Sequence, residues 1–224
     1  MKESMEKVVY SSLTEAIMTR KIAPGTQLIE STIAEQLKVS RTPVRNAIRK
    51  LEVDGFVRVV PNRGAFVIQP SLDEMIEAFQ IRKELELIAV RDGFERISAE
   101  QVNTMKELVH IEKQAFMDKN IRGYNAANKE FHLTIAKAAG NRFLTEFLDK
   151  ILSQIDIYLL IYNAFHHIEE NTDTSWNEHN SLIQLIEAKE KEIFQTQLLK
   201  HLQFSLEELK VDSINYKPLH NLFP

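Results

Sequence analysis

The chain contains no cysteine, which excludes a disulfide framework, a thiolate metal site and a cysteine nucleophile. Any transition metal must then be held by imidazole, carboxylate or amide groups, and a reducing compartment fits. No stretch approaches ~18 uninterrupted apolar residues, and the first ten positions mix Lys and Glu instead of leading an apolar run into a cleavage site. A secretory leader and a membrane span are therefore not expected, and the cytoplasm is the expected compartment. Glycine and proline number six each in 224 residues, and beyond residue 71 they rarely interrupt the helical patterns. Positive charge is also in deficit, with a net −4, which taken alone argues against a nucleic-acid partner. The deficit is uneven: residues 1–70 carry +4 and residues 71–224 carry −8. A basic front and an acidic back are expected when only one domain meets phosphate.

What is present is ordinary for a globular protein, 44% hydrophobic and 27% charged, and the length favours two domains, 1–70 and 71–224. Val9, Leu13, Ala16 and Ile17 repeat near the helical period and predict a first helix over 6–19, stopped before Pro24-Gly25. Ile33, Ala34 and Leu37 predict a short second helix ending near Lys38, with Glu30 or Ser31 as its cap. A third begins at Ser40, where Pro43 suits a first turn, and buries Val44, Ala47, Ile48 and Leu51 before Asp54-Gly55 ends it. Residues 56–60 and 65–68 read as strands about a Pro61-Asn62-Arg63-Gly64 tip. The order is that of a winged helix-turn-helix. From Leu72 onward an all-α bundle is expected, with helices near 72–95, 99–118, 122–139, 142–167, 173–188 and 190–211.

On the third helix Arg41, Arg45 and Arg49 lie four apart on one face away from the apolar stripe. A guanidinium offers a planar fork to guanine O6 and N7 or to phosphate, and a helix N-terminus adds free N–H groups. Ser40 and Thr42 are candidate phosphate contacts, and Arg63 beside Gly64 suits a wing tip approaching a minor groove. An isolated Arg triplet is more often a solvated face; the helix-turn-helix-wing context favours DNA. Two-fold symmetry would pair two half-sites of a palindromic operator, so a homodimer is expected.

In the second domain Asn128 and His132 are one helical turn apart, and His179 and His201 fall on two further helices. Three facing helices can deliver one metal's ligands, and this donor set suits zinc, nickel, manganese or iron better than calcium. Buried histidines bonded to neighbours are the alternative. Arg82 is a candidate partner for an anionic effector or, equally, an ion-pair partner of Glu86; Tyr162, His166 and His167 are possible lining residues. A metal-activated water at His132, His179 and His201 would make an enzyme, but HExxH, phosphate-loop and nucleophile-elbow motifs are missing. A DNA-binding module regulated only by protein partners is the third reading.

Pro24-Gly25-Thr26-Gln27-Leu28, Ile33-Ala34-Glu35-Gln36-Leu37, Val39 to Arg45, Leu51-Glu52-Val53-Asp54-Gly55 and Arg63-Gly64 resemble the GntR superfamily of bacterial regulators over about residues 8–68. The resemblance implies that Ser40, Arg41, Thr42, Arg45 and Arg49 lie on the DNA side, with Arg63 and Gly64 at the wing. Arg82 to Glu86, Phe131-His132-Leu133, Ala138-Ala139-Gly140-Asn141, Glu178-His179 and His201-Leu202 resemble the FadR-type ligand-binding domain called FCD. That similarity implies a divalent metal held by an Asp and three His, with a small organic acid as effector, in a repressor rather than an enzyme. The Asp position, four before the first His, is Asn128 here. A neutral amide leaves the cation more positive than a carboxylate would, which favours an anionic ligand and weakens the grip on the metal.

Overall fold

The structure is a computed structural model that describes residues 4–162 and 175–210, with the side chains of Tyr162 and of 207–210 left aside. The described residues form two compact units, one ending at Ser71 and the other beginning at Leu72.

In the first unit, helix α1 (Met5–Met18) buries Val9, Leu13 and Ile17 against α3 (Arg41–Val53), whose buried stripe is Val44, Ala47, Ile48 and Leu51. The Tyr10 hydroxyl donates to Asp54 Oδ2 at 2.6 Å, tying α1 to the end of α3. Helix α2 (Glu30–Gln36) is short and is followed by Lys38 at φ 54°, the left-handed turn between the two helices. Neither Glu30 nor Ser31 caps it: the N-cap is Ile29, with no side-chain hydrogen bond, because the Glu30 carboxylate is drawn across to Arg45. A strand that periodicity did not reveal, β1 (Gln27–Leu28), completes an antiparallel sheet with β2 (Val57–Val60) and β3 (Gly64–Val67) in the order β1-β3-β2. Two residues are too few to show an alternation. Gln27 Nε2 donates to Arg63 O at 2.8 Å, so this added strand props the tip of the hairpin.

The second unit is all-α among its described residues: α4 (Leu72–Gly93) with a following 3-10 turn (Phe94–Arg96), α5 (Ala99–Met117), α6 (Ile121–Ala138), α7 (Arg142–Tyr162), α8 (Ser175–Glu187) and α9 (Lys191–Lys210). A full capping box, Ser98 with Gln101, starts α5. Helix α6 is the centre of the bundle. Phe131 to Ala136 are buried consecutively, so all sides of the helix are covered, and α4, α5 and α7 pack around it. At Gly93 a Cβ would stand 2.7 Å from Ile135 O and 2.8 Å from Ala139 N, so α4 meets the α6 backbone at a distance only glycine permits. The core around this crossing includes Val90, Met105, Phe131, Leu148, Leu182, Phe194 and Leu198. His166 and His167 lie outside the described residues, as does the Tyr162 side chain.

Candidate metal centre and nucleic-acid interface

His132 on α6, His179 on α8 and His201 on α9 are each at least 98% buried and bring one ring nitrogen apiece within 4.8 Å of one another. His132 Nε2 and His201 Nε2 are 3.4 Å apart. Two nitrogens bound tetrahedrally to one zinc stand roughly 3.3 Å apart, so this pair already has the required spacing. Each imidazole is aimed by a carboxylate on its other nitrogen. His132 Nδ1 meets Glu86 of α4 at 2.7 Å, His179 Nδ1 meets Glu112 of α5 at 2.8 Å, and His201 Nδ1 meets Glu178 of α8 at 2.5 Å. A carboxylate accepting from Nδ1–H fixes the tautomer that presents the Nε2 lone pair, the arrangement metal-binding histidines use. Among the described residues the buried Nε2 of His179 has no hydrogen-bond partner, as expected of a nitrogen reserved for a ligand.

The electrostatics keep the His132 and His201 rings neutral. Burial pushes the His132 pKa down to about 3 despite the facing Glu86 carboxylate, and burial likewise lowers that of His201 against the pull of Glu178. For Glu86, burial favours the protonated form, but His132 and Arg82 outweigh it and hold the carboxyl below the usual carboxylate range. The donor set is imidazole nitrogen throughout, which fits a borderline divalent ion and places no anionic ligand among the three. Asn128, half-buried one turn before His132, points its Nδ2 at Ser175 Oγ at 3.4 Å, leaving its carbonyl oxygen as the end suited to a cation.

Of the two roles its position suggested, Arg82 takes up the ion pair with Glu86. Its Nε donates to Glu86 Oε1 at 2.7 Å, while its Nη2 is buried with no hydrogen-bond partner among the described residues. One edge of the guanidinium is thus used within the fold and another is left unmet. Helical spacing alone singles out neither Glu112 nor Glu178 as a histidine partner, nor Asp156. Burial raises the Asp156 pKa to about 7, partly offset by Arg82 and Lys129. The native state thus keeps a proton there between about pH 4 and 7, where the unfolded chain has lost it, so stability falls as pH rises through that window. Asp156→Asn removes the loss: its urea midpoint should match wild type near pH 4.5 and exceed it by pH 8, by on the order of 1–3 kcal/mol in free energy. A constant difference across that range would show that Asp156 ionises normally.

In the first unit Ser40, Arg41, Thr42, Arg45 and Arg49 are all exposed along α3, and Arg63 and Gly64 are exposed at the hairpin tip. Gly64 adopts φ 97°, a conformation that side-chain-bearing residues avoid. Arg45 is held by a two-pronged pair: Nε to Glu30 Oε1 at 2.9 Å and Nη2 to Glu30 Oε2 at 2.9 Å. That hydrogen bonding lowers the Glu30 pKa, and the Arg45, Arg41 and Arg49 charges lower it further. A single carboxylate therefore sits within a field of three guanidinium groups.

Comparison with known proteins connects both sites. Residues 6–67 match the bacterial regulatory proteins of the gntR family and residues 77–204 match the FCD domain. The chain is 27% identical over 203 residues to the uncharacterized HTH-type transcriptional regulator YdhC of Bacillus subtilis (strain 168), covering 90% of this chain and 89% of that protein. It is 22% identical over 201 residues to the HTH-type transcriptional repressor RspR of Escherichia coli (strain K12), covering 90% and 87%. Among solved structures, E. coli McbR/YncC shares the fold with a TM-score of 0.67 at 24% identity, over 93% of this chain and 98% of that one. Lar, described as controlling the expression of the Listeria monocytogenes agr system, does so with a TM-score of 0.70 at 16% identity, over 95% and 100%. These sequence relatives are transcriptional regulators and not enzymes. The chain belongs to the GntR family of DNA-binding bacterial transcriptional regulators, with an FCD domain following its winged helix-turn-helix.

Proposed function

We propose that the protein is a homodimeric cytoplasmic repressor whose grip on a palindromic operator is weakened when a small organic acid binds a divalent metal in the helical unit. The metal is held by His132, His179 and His201, with Asn128 beside them and zinc the preferred ion ahead of nickel, manganese or iron. When bound it supplies a Lewis-acidic, positively charged centre that an effector carboxylate can complete. The observation that carries this reading is the set of three buried imidazoles, each fixed at Nδ1 by a glutamate, beside an Arg82 whose buried Nη2 has no hydrogen-bond partner among the described residues. An anion placed there meets both the cation and the open guanidinium edge. The nearby glutamates are engaged in orienting imidazoles, so none stands ready as a general base, which counts against hydrolysis.

Ser40, Arg41, Thr42, Arg45 and Arg49 contact the major groove and its phosphates in this reading, with Arg63 and Gly64 at the minor groove. The printed role of the relative RspR, a repressor, supports repression here. Among the described residues no helix is long and apolar enough to cross a membrane, and exposed Phe143 and Phe147 on α7 suit a surface covered by a second copy.

The test compares zinc-loaded with chelator-stripped protein on genomic fragments selected at moderate ionic strength, across citrate, malate, lactate and related acids. For the loaded protein at least one acid should weaken operator binding by about 5- to 150-fold, and the stripped protein should not respond. An equal response after stripping would remove the metal from the mechanism. Binding that no acid alters in either form would favour regulation by protein partners.

A further inference from the structure

Asn125 on α6 is 5% exposed, and neither its Nδ2 nor its Oδ1 has a hydrogen-bond partner among the described residues. A buried amide with all its donors and acceptors unmet is costly, and such groups ordinarily find a partner. Its place on the helix shows where a partner would come from. Seven residues before His132, it is rotated about 700°, within roughly 20° of two full turns, so both side chains leave the same face of α6. The neighbours on either side of that line are engaged: Asn128 with Ser175 of α8, and Lys129 with Asp149 and Ser153 of α7. Asn125 lies between them, along the line from the histidine triad, with its amide unused.

We infer that Asn125 reads the far end of the effector, and that the effector is a carboxylate bearing a second, neutral hydrogen-bonding group, a hydroxyl or carboxamide. This rests on the metal-and-anion reading above. Seven helical residues span about 10.5 Å. Metal coordination at one end and a hydrogen bond at the other take up roughly half of that, leaving some four or five carbon–carbon bonds between the ligand's two polar heads. The amide both donates and accepts, so it pairs fully with a group that does the same and poorly with a methyl terminus. A second carboxylate would be stranded there without a cation.

The experiment is calorimetric titration of the zinc-loaded full chain with the monoamides of succinate, glutarate and adipate, each beside butanoate, pentanoate and hexanoate. Wild type should bind at least one monoamide about tenfold or more tightly than its parent acid. Asn125→Leu, of similar branched shape but bulkier, should abolish or invert that preference, and Asn125→Ala should abolish it without adding bulk. In the metal-free state Asn125→Ala should melt no lower than wild type, since what it chiefly removes is unmet polar groups. Acids and monoamides bound equally well by wild type and variant would overturn the inference while leaving the anion site standing. A drop of several degrees in the metal-free melting temperature of Asn125→Ala would also overturn it, assigning Asn125 to the fold. If wild type binds none of the six compounds, the metal-and-anion reading falls, and this inference with it.

Discussion

Replacing Glu86 with leucine should destabilise the metal-free protein by about 3–5 kcal/mol and weaken zinc binding by about 10- to 100-fold. Both effects come from one carboxylate with two partners, Arg82 Nε at 2.7 Å and His132 Nδ1 at 2.7 Å. Arg82 and Glu86 are 4% and 2% exposed. Water cannot replace a lost partner, and a buried guanidinium whose Nη2 has no hydrogen-bond partner among the described residues would lose its ion-pair partner as well. The loss should appear as a fall of ~10 °C or more in melting temperature at the scale of a 150–250-residue protein. The second effect arises because His132 would lose the acceptor that fixes its tautomer and ring orientation. Urea denaturation in chelator measures the first, and competition with a chromophoric chelator measures the second. The double variant Arg82→Met, Glu86→Leu separates pairing from burial: it should be more stable than Glu86→Leu alone, because no orphaned charge remains. If Glu86→Leu unfolds and binds zinc as wild type does, the Arg82–Glu86–His132 chain has no role.

Much of this architecture is legible in the residues themselves, and the parts that are not share a physical cause. Long helices with apolar residues at regular spacing show their extent directly, and α4 to α9 lie close to where periodicity places them. The strand Gln27–Leu28 does not show itself, since its existence depends on β3 lying alongside. Glu30 has the chemistry of a cap, but Arg45 fifteen residues away competes for the same oxygens and wins. The histidines stand out because a buried imidazole on each of three helices needs a reason. Their carboxylate partners are harder to find. Glu86 is visible only as the i+4 neighbour of Arg82. Glu112 occupies a core position in the series Met105, Val109, Glu112, Phe116, and an acid in an apolar stripe was the available signal. Glu178 reaches His201 on the next helix, and Asn125 is singled out only by what fails to approach it; neither property is local in sequence.

Arg45→Ala should lower operator affinity by about 10- to 100-fold while leaving affinity for unrelated DNA nearly unchanged, and Glu30→Ala should produce a different defect. Glu30 occupies the Nε and Nη2 edge of Arg45, so the end-on Nη1 and Nη2 fork is the part left to face a guanine. The pair thereby restrains a flexible side chain in a direction suited to base reading. Its carboxylate also lies among Arg41, Arg45 and Arg49, where it repels phosphate and discourages binding anywhere on the duplex. Removing it frees Arg45 to reach phosphate and adds one unit of positive charge to the face. Glu30→Ala should therefore bind unrelated DNA more tightly, with a salt slope steeper by about one phosphate contact, while losing discrimination against operators altered at one base pair per half-site. Binding isotherms at several salt concentrations on operator, altered operator and unrelated duplex separate the two patterns. If Glu30→Ala shows the same salt slope and the same discrimination as wild type, the ion pair only decorates the surface, and orientation of Arg45 must come from the DNA itself.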